Sequence, residues 1–268
     1  MIEHSQGDLA WWTFERPAAE GVAAWVTLRH GGVSEPPYDT LNLGFHVGDE
    51  PEAVLANRER VAATVGIPLE RWVVAQQVHG VHVATIETQD IGRGALSQDR
   101  ALPQCDSLIT DTSACLLIHV ADCVPLLLLD IERGATGVAH AGWRGVAAGV
   151  AGAVVRAMRE RFGSRPEHLW VGLGPCIGEC CYEVGEEEVA AIRRVAPGVS
   201  VGESDSEGRR RVNLREAVRG QLLACGVREE SMEVMPVCTR CASDRLFSAR
   251  AAQGPTGRFV AGIARVTA

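Results

Sequence analysis

The chain has 268 residues, of which 46% are apolar and 22% are charged, and its formal net charge at pH 7 is −8. This composition is typical of a globular protein with enough apolar residues to fill a core without disulfide or metal staples. The negative balance argues against nucleic acid as a partner, and no stretch clusters Lys or Arg enough to follow a phosphate backbone.

The sequence shows no sign of export or of membrane insertion. Its first eight residues, MIEHSQGD, lack the basic start and the apolar stretch of a signal peptide. The longest apolar region, residues 115–129, is interrupted by His119, Asp122 and Pro125 and is too short to span a bilayer. The nine cysteines are an odd count, which favours thiols and metal ligation over a disulfide framework. We therefore expect a cytoplasmic protein.

Apolar periodicity predicts strands and helices that alternate without a strict β-α-β order. Strands are predicted over 24–29, 71–75, 81–86, 115–120, 124–130, 136–141, 169–173, 233–237 and 258–266. Helices are predicted over 52–65, 145–162, 186–195 and 213–225, and loops over 89–104 and 198–210. Because strands 115–120 and 124–130 are almost entirely apolar, we expect both to be buried on both faces. No repeat or linker divides the chain, so we predict one α/β domain over residues 1–268, with mixed sheets covered by helices.

Three residues with metal-binding side chains lie at strand ends beside turns. His79 lies in the segment QVHG, Cys123 in ADCVP and His140 in AHAGWRG. Two imidazoles and one thiolate form the ligand set of a catalytic zinc site, in which a fourth position stays open. We therefore predict that His79, Cys123 and His140 bind Zn²⁺, with Cu²⁺ as a second candidate ion for the same site. The alternative is a scatter of core and turn residues, with Cys123 as an inert buried thiol.

Asp122 is a polar residue inside an apolar run, and a cationic or metal site would give it a partner. In zinc deaminases a carboxylate moves the protons, and Asp122 is the carboxylate nearest to Cys123 in the sequence. Asp122 either takes this role or orients a ligand of the metal. The predicted catalytic residues are therefore Cys123, His140 and Asp122.

Two arginines are candidates for binding an anion. Arg144 lies at a predicted helix start, where backbone N–H groups and a guanidinium together form a natural anion site. Arg29, just before two glycines, is the second candidate. The alternative for both is a solvated surface arginine.

The remaining cysteines include one C-x-x-C pair, Cys238 and Cys241, with Cys176, Cys180 and Cys181 upstream. Such a pair with further thiols can bind a structural zinc ion, but a second C-x-x-C pair is missing. The alternative is a group of loop thiols, so these residues are assigned no function.

Short motifs that span nearly the whole chain in order resemble those of one family. They include RHGGVS at 29–34, LNLGFHVGD at 41–49, QQVHG at 76–80, DSLIT at 106–110, ADCVP at 121–125, HAGWRG at 140–145, GPCIG at 174–178 and YEV at 182–184. At these residues the chain resembles the YfiH-type family, also called the peptidoglycan editing factor or laccase-like polyphenol oxidase family. This family includes the multifunctional purine nucleoside enzyme FAMIN.

The resemblance implies a single-domain, four-layer α/β/β/α sandwich in which His79, Cys123 and His140 bind zinc. It also implies phosphorolysis of adenosine, inosine, guanosine and S-methyl-5′-thioadenosine, together with adenosine deamination. Purine nucleosides and phosphate are therefore the expected partners, with no nucleic acid and no membrane. Asn42 and Arg144 match positions that line the family's pocket, and Gln77 and Arg29 complete the predicted substrate-binding set.

Other functions remain open at this point. One is a cysteine-dependent amidase acting on a misincorporated peptidoglycan precursor, with Cys123 as nucleophile and His140 as its base. Another is a copper-dependent phenol oxidase, although multicopper chemistry needs clustered imidazoles and the chain has eight histidines, with His79 and His82 as the only close pair. A third is a non-catalytic nucleoside sensor. The preferred nucleoside and the oligomeric state are not predicted.

Overall fold

The computed structural model describes residues 1–266; Thr267 and Ala268, which end the predicted domain, lie outside the described residues. The strands are β1 (Ile2–Gln6), β2 (Leu9–Thr13), β3 (Val22–Thr27), β4 (Trp72–Val74), β5 (Val83–Thr85), β6 (Ser107–Thr110), β7 (Cys115–Val120), β8 (Val124–Asp130), β9 (Thr136–Ala141), β10 (Leu169–Leu173), β11 (Glu183–Val184), β12 (Val201–Ser204), β13 (Arg210–Val212), β14 (Met232–Val234) and β15 (Phe259–Arg265). The α-helices are α1 (Arg16–Ala19), α2 (Pro51–Val65), α3 (Trp143–Ala147), α4 (Val150–Phe162), α5 (Glu186–Val195), α6 (Leu214–Ala224) and α7 (Ala249–Ala252). Short 3₁₀ helices cover Phe45–Val47, Leu69–Arg71, Thr88–Asp90, Gln98–Arg100, Pro166–His168 and Glu229–Ser231.

The strands form two six-stranded mixed sheets and one small three-stranded sheet. The first sheet has the order β1-β2-β3-β15-β7-β4, in which only β7 and β4 pair in parallel. The second sheet has the order β14-β10-β8-β9-β6-β5, in which the two outer pairs are parallel and the others antiparallel. The small sheet has the order β11-β13-β12. Because β7 and β8 belong to different sheets, the short turn between them carries the chain from one sheet to the other.

Three buried cores separate the layers of the fold. The first lies between α2 and the first sheet, the second between the two sheets, and the third between the second sheet and helices α4, α5 and α6. In β7, Leu117 belongs to the first core and Ile118 to the second. In β8, Leu126 belongs to the third core and Leu127 to the second. Both strands are thus buried on both faces, as predicted, and the α/β/β/α sandwich with mixed sheets confirms the predicted fold class.

The bounds of the most apolar strands agree with the sequence prediction, whereas one long helix does not. The helix predicted over 145–162 is broken into α3 and α4, because Gly149 adopts a left-handed conformation with φ of 84°. The hairpin of β1 and β2 was not predicted, and β12 lies within the predicted loop 198–210. Among residues 1–266, no helix has the length and hydropathy needed to cross a membrane.

Gly262 in β15 packs closely against the indole of Trp25 in the first sheet. It pairs with Trp25 of β3, and a Cβ atom added at Gly262 would lie 2.5 Å from Cζ2 of the buried indole. Gly262→Ala is therefore expected to displace Trp25 and to lower the free energy of unfolding by about 1–3 kcal/mol, as overpacking commonly does. Urea denaturation followed by circular dichroism measures this change.

Gly220→Ala is the matched control, because Gly220 lies inside α6 and a Cβ atom there would meet no heavy atom within 4 Å. Alanine favours a helix interior by about 1 kcal/mol over glycine, so this variant is expected to be as stable as the wild type or more so. A Gly262→Ala protein with an unchanged or higher urea midpoint would contradict the predicted clash.

Candidate metal centre

The structure brings His79, Cys123 and His140 together. Their ligand atoms lie within 4.8 Å of one another, and the two imidazole rings have centroids 4.8 Å apart at an interplanar angle of 70°. His79 is exposed, Cys123 is half-buried and His140 is buried, so the cluster is open on the side of His79. The three residues form a candidate metal-binding cluster with two nitrogen donors and one sulfur donor.

Strand pairing explains why Cys123 and His140 meet. Cys123 lies in the turn between β7 and β8, at the crossing between the two sheets. His140 lies in β9, which pairs with β8 so that Pro125 is opposite His140 and Val124 opposite Ala141. The turn that carries Cys123 therefore lies beside the end of β9.

Asp106 contacts both histidines of the cluster. One carboxylate oxygen, Oδ1, accepts the backbone N–H of His79 at 2.8 Å and lies 2.9 Å from Nδ1 of His140. The other, Oδ2, accepts the N–H of Gly80 at 2.7 Å, and the N–H of Val78 lies 3.2 Å from both oxygens. Since Asp106 takes Nδ1 of His140, Nε2 is the ring nitrogen left for a metal, an arrangement common among metal-binding histidines.

Gly142 leaves room for the side chains of His79 and Cys123. A Cβ atom added at Gly142 would lie 2.8 Å from Cδ2 of His79 and 3.0 Å from Sγ of Cys123. Any larger residue after the end of β9 would push these two side chains apart. Gly142, two residues after His140, is thus part of the site.

Cys123 and His140 shift each other's pKa in opposite directions. Burial alone would raise the pKa of Cys123, but the charges and hydrogen bonds of His140 and His79 outweigh it and lower this pKa to about 6. Burial alone would lower the pKa of His140, but Cys123 and Asp106 outweigh it and raise this pKa to about 9. In the metal-free protein these opposite shifts favour a Cys123 thiolate, the form that binds metal, beside a protonated His140, whose proton a metal would displace. A thiolate and two imidazoles fit Zn²⁺ and also suit copper.

The cluster lies in the wall of a cavity of about 510 Å³. This volume lies within the range of about 300–1,000 Å³ that is usual for small-molecule sites. The wall combines flat or apolar side chains with cations, and its members include Trp143, Ile177, Tyr182, Arg250 and Arg258. The cavity can therefore hold a small molecule with an apolar ring and a negative group.

Of the predicted substrate-binding residues, Gln77 lines this cavity. Its amide is fixed against the backbone of His119, because Nε2 donates to the carbonyl oxygen at 2.8 Å and Oε1 accepts the N–H at 2.9 Å. His119, interpreted from the sequence as a core histidine, is buried and also lines the cavity.

The other three predicted substrate residues do not lie in the cavity wall. Asn42 is buried, where its side chain bonds to Gly44 and Asp49 and accepts the N–H of Arg258. These contacts connect Asn42 to the loop that follows it and to the segment of Arg258.

The two predicted anion-binding arginines have different surroundings. Arg29 donates to the carbonyl oxygens of Asp39 and Ser243, which hold its guanidinium in a loop. Arg144 is exposed, and its guanidinium carbon lies 4.4 Å from the ring centroid of Trp143. Trp143 lines the cavity, whereas Arg144 does not. Substrate contact by Asn42, Arg29 or Arg144 stays a prediction, and the structure does not bring these residues to the cavity wall.

Asp122 lines the cavity and anchors two loops. Oδ1 accepts the hydroxyl of Thr239 at 2.5 Å, and Oδ2 accepts the N–H of Arg250 at 2.7 Å. Its backbone has φ of 95°, and its carbonyl oxygen accepts the N–H of Ile177. Because both carboxylate oxygens are engaged, these contacts favour an orienting role over proton transfer.

Asp106 and Arg258 were missed as site residues in the sequence. Asp106 is fully buried at the start of a buried strand, and an acid in that position needs several donors. This was the signal that could have identified it. Arg258 gave no comparable signal, because its place in the wall depends on how residues 249–258 fold across the cavity.

Comparisons with known proteins agree with this architecture. A sequence model of the family described as "Multi-copper polyphenol oxidoreductase laccase" matches residues 23–266. The chain is 40% identical to "Purine nucleoside phosphorylase YlmD" of Geobacillus stearothermophilus, covering 95% of this chain and 94% of the relative. It is 34% identical to "Adenosine deaminase RL5" of an unknown prokaryotic organism, covering 99% and 100%.

The crystal structure of YlmD from Geobacillus stearothermophilus superposes with a TM-score of 0.93 at 39% identity, covering 99% of each chain. The chain therefore belongs to the multi-copper polyphenol oxidoreductase laccase family, the polyphenol oxidase family that its motifs resemble.

Proposed function

We propose that this protein is a zinc-dependent purine nucleoside phosphorylase that also deaminates adenosine. The observation that carries the proposal is the cluster of His79, Cys123 and His140 in the wall of a cavity of small-molecule size. The names of the YlmD and RL5 relatives support the two activities. The proposed substrates are adenosine, inosine, guanosine and S-methyl-5′-thioadenosine, with phosphate as the second substrate of phosphorolysis.

The three cluster residues would hold the ion. Zinc bound there would supply a Lewis acid and lower the pKa of a bound water towards ~7. Asp106 keeps His140 in the tautomer and orientation that present Nε2. Gly142 leaves room for the sulfur and the ring of His79 to approach each other.

The cavity wall offers a place for the purine. Trp143, Tyr182 and Ile177 give flat or branched apolar surfaces, against which an aromatic base can pack. The ribose and the bond to be broken then lie among the polar groups of the same wall. Holding both reactants in one cavity contributes to the rate, because a fixed geometry replaces a chance encounter.

Phosphate needs a cation, and Arg258 is the best-placed candidate. It lines the cavity, and its NH1 donates to the carbonyl oxygens of Thr256 and Gly257 at 2.9 and 3.0 Å. These bonds hold the guanidinium in place. Among the described residues they are its only side-chain hydrogen bonds, so Nε and NH2 are left for an anion.

Arg250 also lines the cavity, where its NH1 donates to the carbonyl oxygen of Glu183. Arg144, the candidate predicted from the sequence, lies outside the cavity wall beside Trp143.

A cysteine-dependent amidase is the second candidate function. The observation that favours it is the order Asp106, His140, Cys123, in which an acid fixes a histidine beside a thiolate of low pKa. In that case activity would survive a chelator, and Cys123 would react readily with an alkylating agent. A zinc thiolate would instead be shielded, and its activity would be chelator-sensitive.

Copper-dependent phenol oxidation is less well supported by the geometry, whatever the family description. Within residues 1–266, the clusters able to hold a metal include only one with imidazoles, and it has two of them. Multicopper chemistry needs more histidines than this in close contact. Copper remains a candidate occupant of the site.

Cys123→Ala is expected to lose about one zinc ion per chain and both activities, because the site needs its three protein ligands. Metal analysis, inosine phosphorolysis and adenosine deamination measure the losses, and circular dichroism checks that the fold is kept. Cys225→Ala is the control, since Cys225 lies at the end of α6 and does not line the cavity. Full inosine phosphorolysis by a Cys123→Ala protein that has lost this ion would refute the assigned role.

Arg258→Gln is expected to raise the KM for phosphate by about 10–100-fold, the range for losing a hydrogen bond to a charged group. Adenosine deamination uses no phosphate and is expected to change less. Arg144→Gln is the matched comparison, and we expect a smaller rise because Arg144 is exposed. A large rise for Arg144→Gln alone would assign the phosphate to Arg144, and equal losses in both reactions would remove Arg258 from this role.

Asp106→Asn is expected to weaken zinc binding by about 10–100-fold, the usual effect of losing a carboxylate behind a metal-binding histidine. The amide keeps the size of the side chain but cannot accept hydrogen bonds at both ends. Competition with a chromophoric chelator measures the affinity. Asp99→Asn, at an exposed position, is the control; equal zinc affinity in the two variants would contradict the role given to Asp106.

A further inference from the structure

Four cysteines outside the candidate catalytic cluster form a second group, which we call the thiol cluster. It consists of Cys180, Cys181, Cys238 and Cys241, whose sulfur atoms all lie within 4.8 Å of one another. Cys180 and Cys241 are exposed, and the other two are half-buried. Four thiols this close, partly at the surface, need a chemical explanation because unprotected surface thiols oxidise readily.

The topology of the second sheet explains why these residues meet. β10 and β14 are parallel neighbours, so the segments that follow them leave the sheet at the same edge. Cys180 and Cys181 lie in the first of these segments, and Cys238 and Cys241 lie in the second. A further bridge between Cys176 and Cys238 extends the pairing beyond the strands. The cluster is therefore built on two aligned backbones.

The sulfur separations suit ligands of one shared ion. Sγ of Cys241 lies 3.6 Å from Sγ of Cys180 and 3.4 Å from Sγ of Cys181. Zn–S bonds of about 2.3 Å place the sulfurs of a tetrahedral site about 3.8 Å apart. The backbone N–H groups of Cys181 and Tyr182 donate to the carbonyl oxygen of Gly178 and form a turn. The sulfurs of the neighbouring residues Cys180 and Cys181 both lie near the sulfur of Cys241.

The donor set favours a thiophilic ion. Four sulfur ligands with no carboxylate favour zinc over magnesium or calcium. Four protein ligands also close the coordination sphere, as in structural zinc sites. In addition, the N–H of Gly178 donates to Sγ of Cys238 at 3.2 Å, a contact of the kind that stabilises metal-bound thiolates.

We propose that Cys180, Cys181, Cys238 and Cys241 bind one zinc ion in a closed tetrathiolate site. The ion joins the segments after β10 and β14 behind the wall of the cavity. Ile177 and Tyr182 of the first segment line that cavity, and Thr239 of the second bonds to Asp122. The site has a structural role and does not depend on the reaction proposed above.

The test uses a Cys123→Ala protein, in which the candidate catalytic site lacks its sulfur ligand. This protein is expected to keep about one zinc ion per chain, and Cys123→Ala/Cys241→Ser is expected to keep none. Replacement of the zinc by Co²⁺ should give the visible bands of tetrahedral cobalt and a strong sulfur-to-cobalt charge-transfer band. Cys123→Ala/Cys225→Ser is the matched control and should behave like Cys123→Ala alone.

A second measurement covers the case in which Cys241→Ser fails to fold. The reduced, metal-free Cys123→Ala protein is alkylated with and without Zn²⁺, and the modified cysteines are mapped by mass spectrometry. Zinc is expected to protect all four residues of the thiol cluster and to leave Cys225 unchanged. Equal alkylation with and without zinc, retention of zinc by a folded Cys241→Ser double variant, or isolation of the cluster as disulfides that take up no zinc after reduction would each overturn the proposal.

Discussion

The carboxylate of Asp106 is the contact on which the candidate site depends. It is fully buried, and it gathers three consecutive backbone N–H groups and one imidazole nitrogen around two oxygens. These donors offset the loss of hydration that a buried charge suffers. The same contact joins the loop of His79 to the strand of His140, so the placement of one metal ligand fixes that of the other.

The cavity is built where chain segments leave the two sheets. The turn between β7 and β8 crosses from one sheet to the other and carries Asp122 and Cys123. Asp122 bonds to the segments that contain Ile177, Thr239 and Arg250. The sheets thus provide a base, and the loops above them line the cavity.

Predictions from the sequence were most accurate for the buried strands and for the residues at their ends. The bounds of β7, β8, β9 and β10 agree with the apolar runs, and Cys123 and His140 meet because both lie at strand ends. His79 lies instead in the loop between β4 and β5, where its backbone N–H bonds to Asp106. Neighbours in sequence were poor guides to the rest: Arg144 follows His140 closely but turns outward onto Trp143. Arg258 is far from the cluster in sequence and reaches the cavity only through tertiary folding.

The position of β15 has a consequence for biosynthesis. This strand, the last one in residues 1–266, lies in the interior of the first sheet between β3 and β7. A nascent polypeptide that ends before Phe259 would leave β3 and β7 each with an unpaired, aggregation-prone edge. The first sheet can therefore close only after β15 has been synthesised.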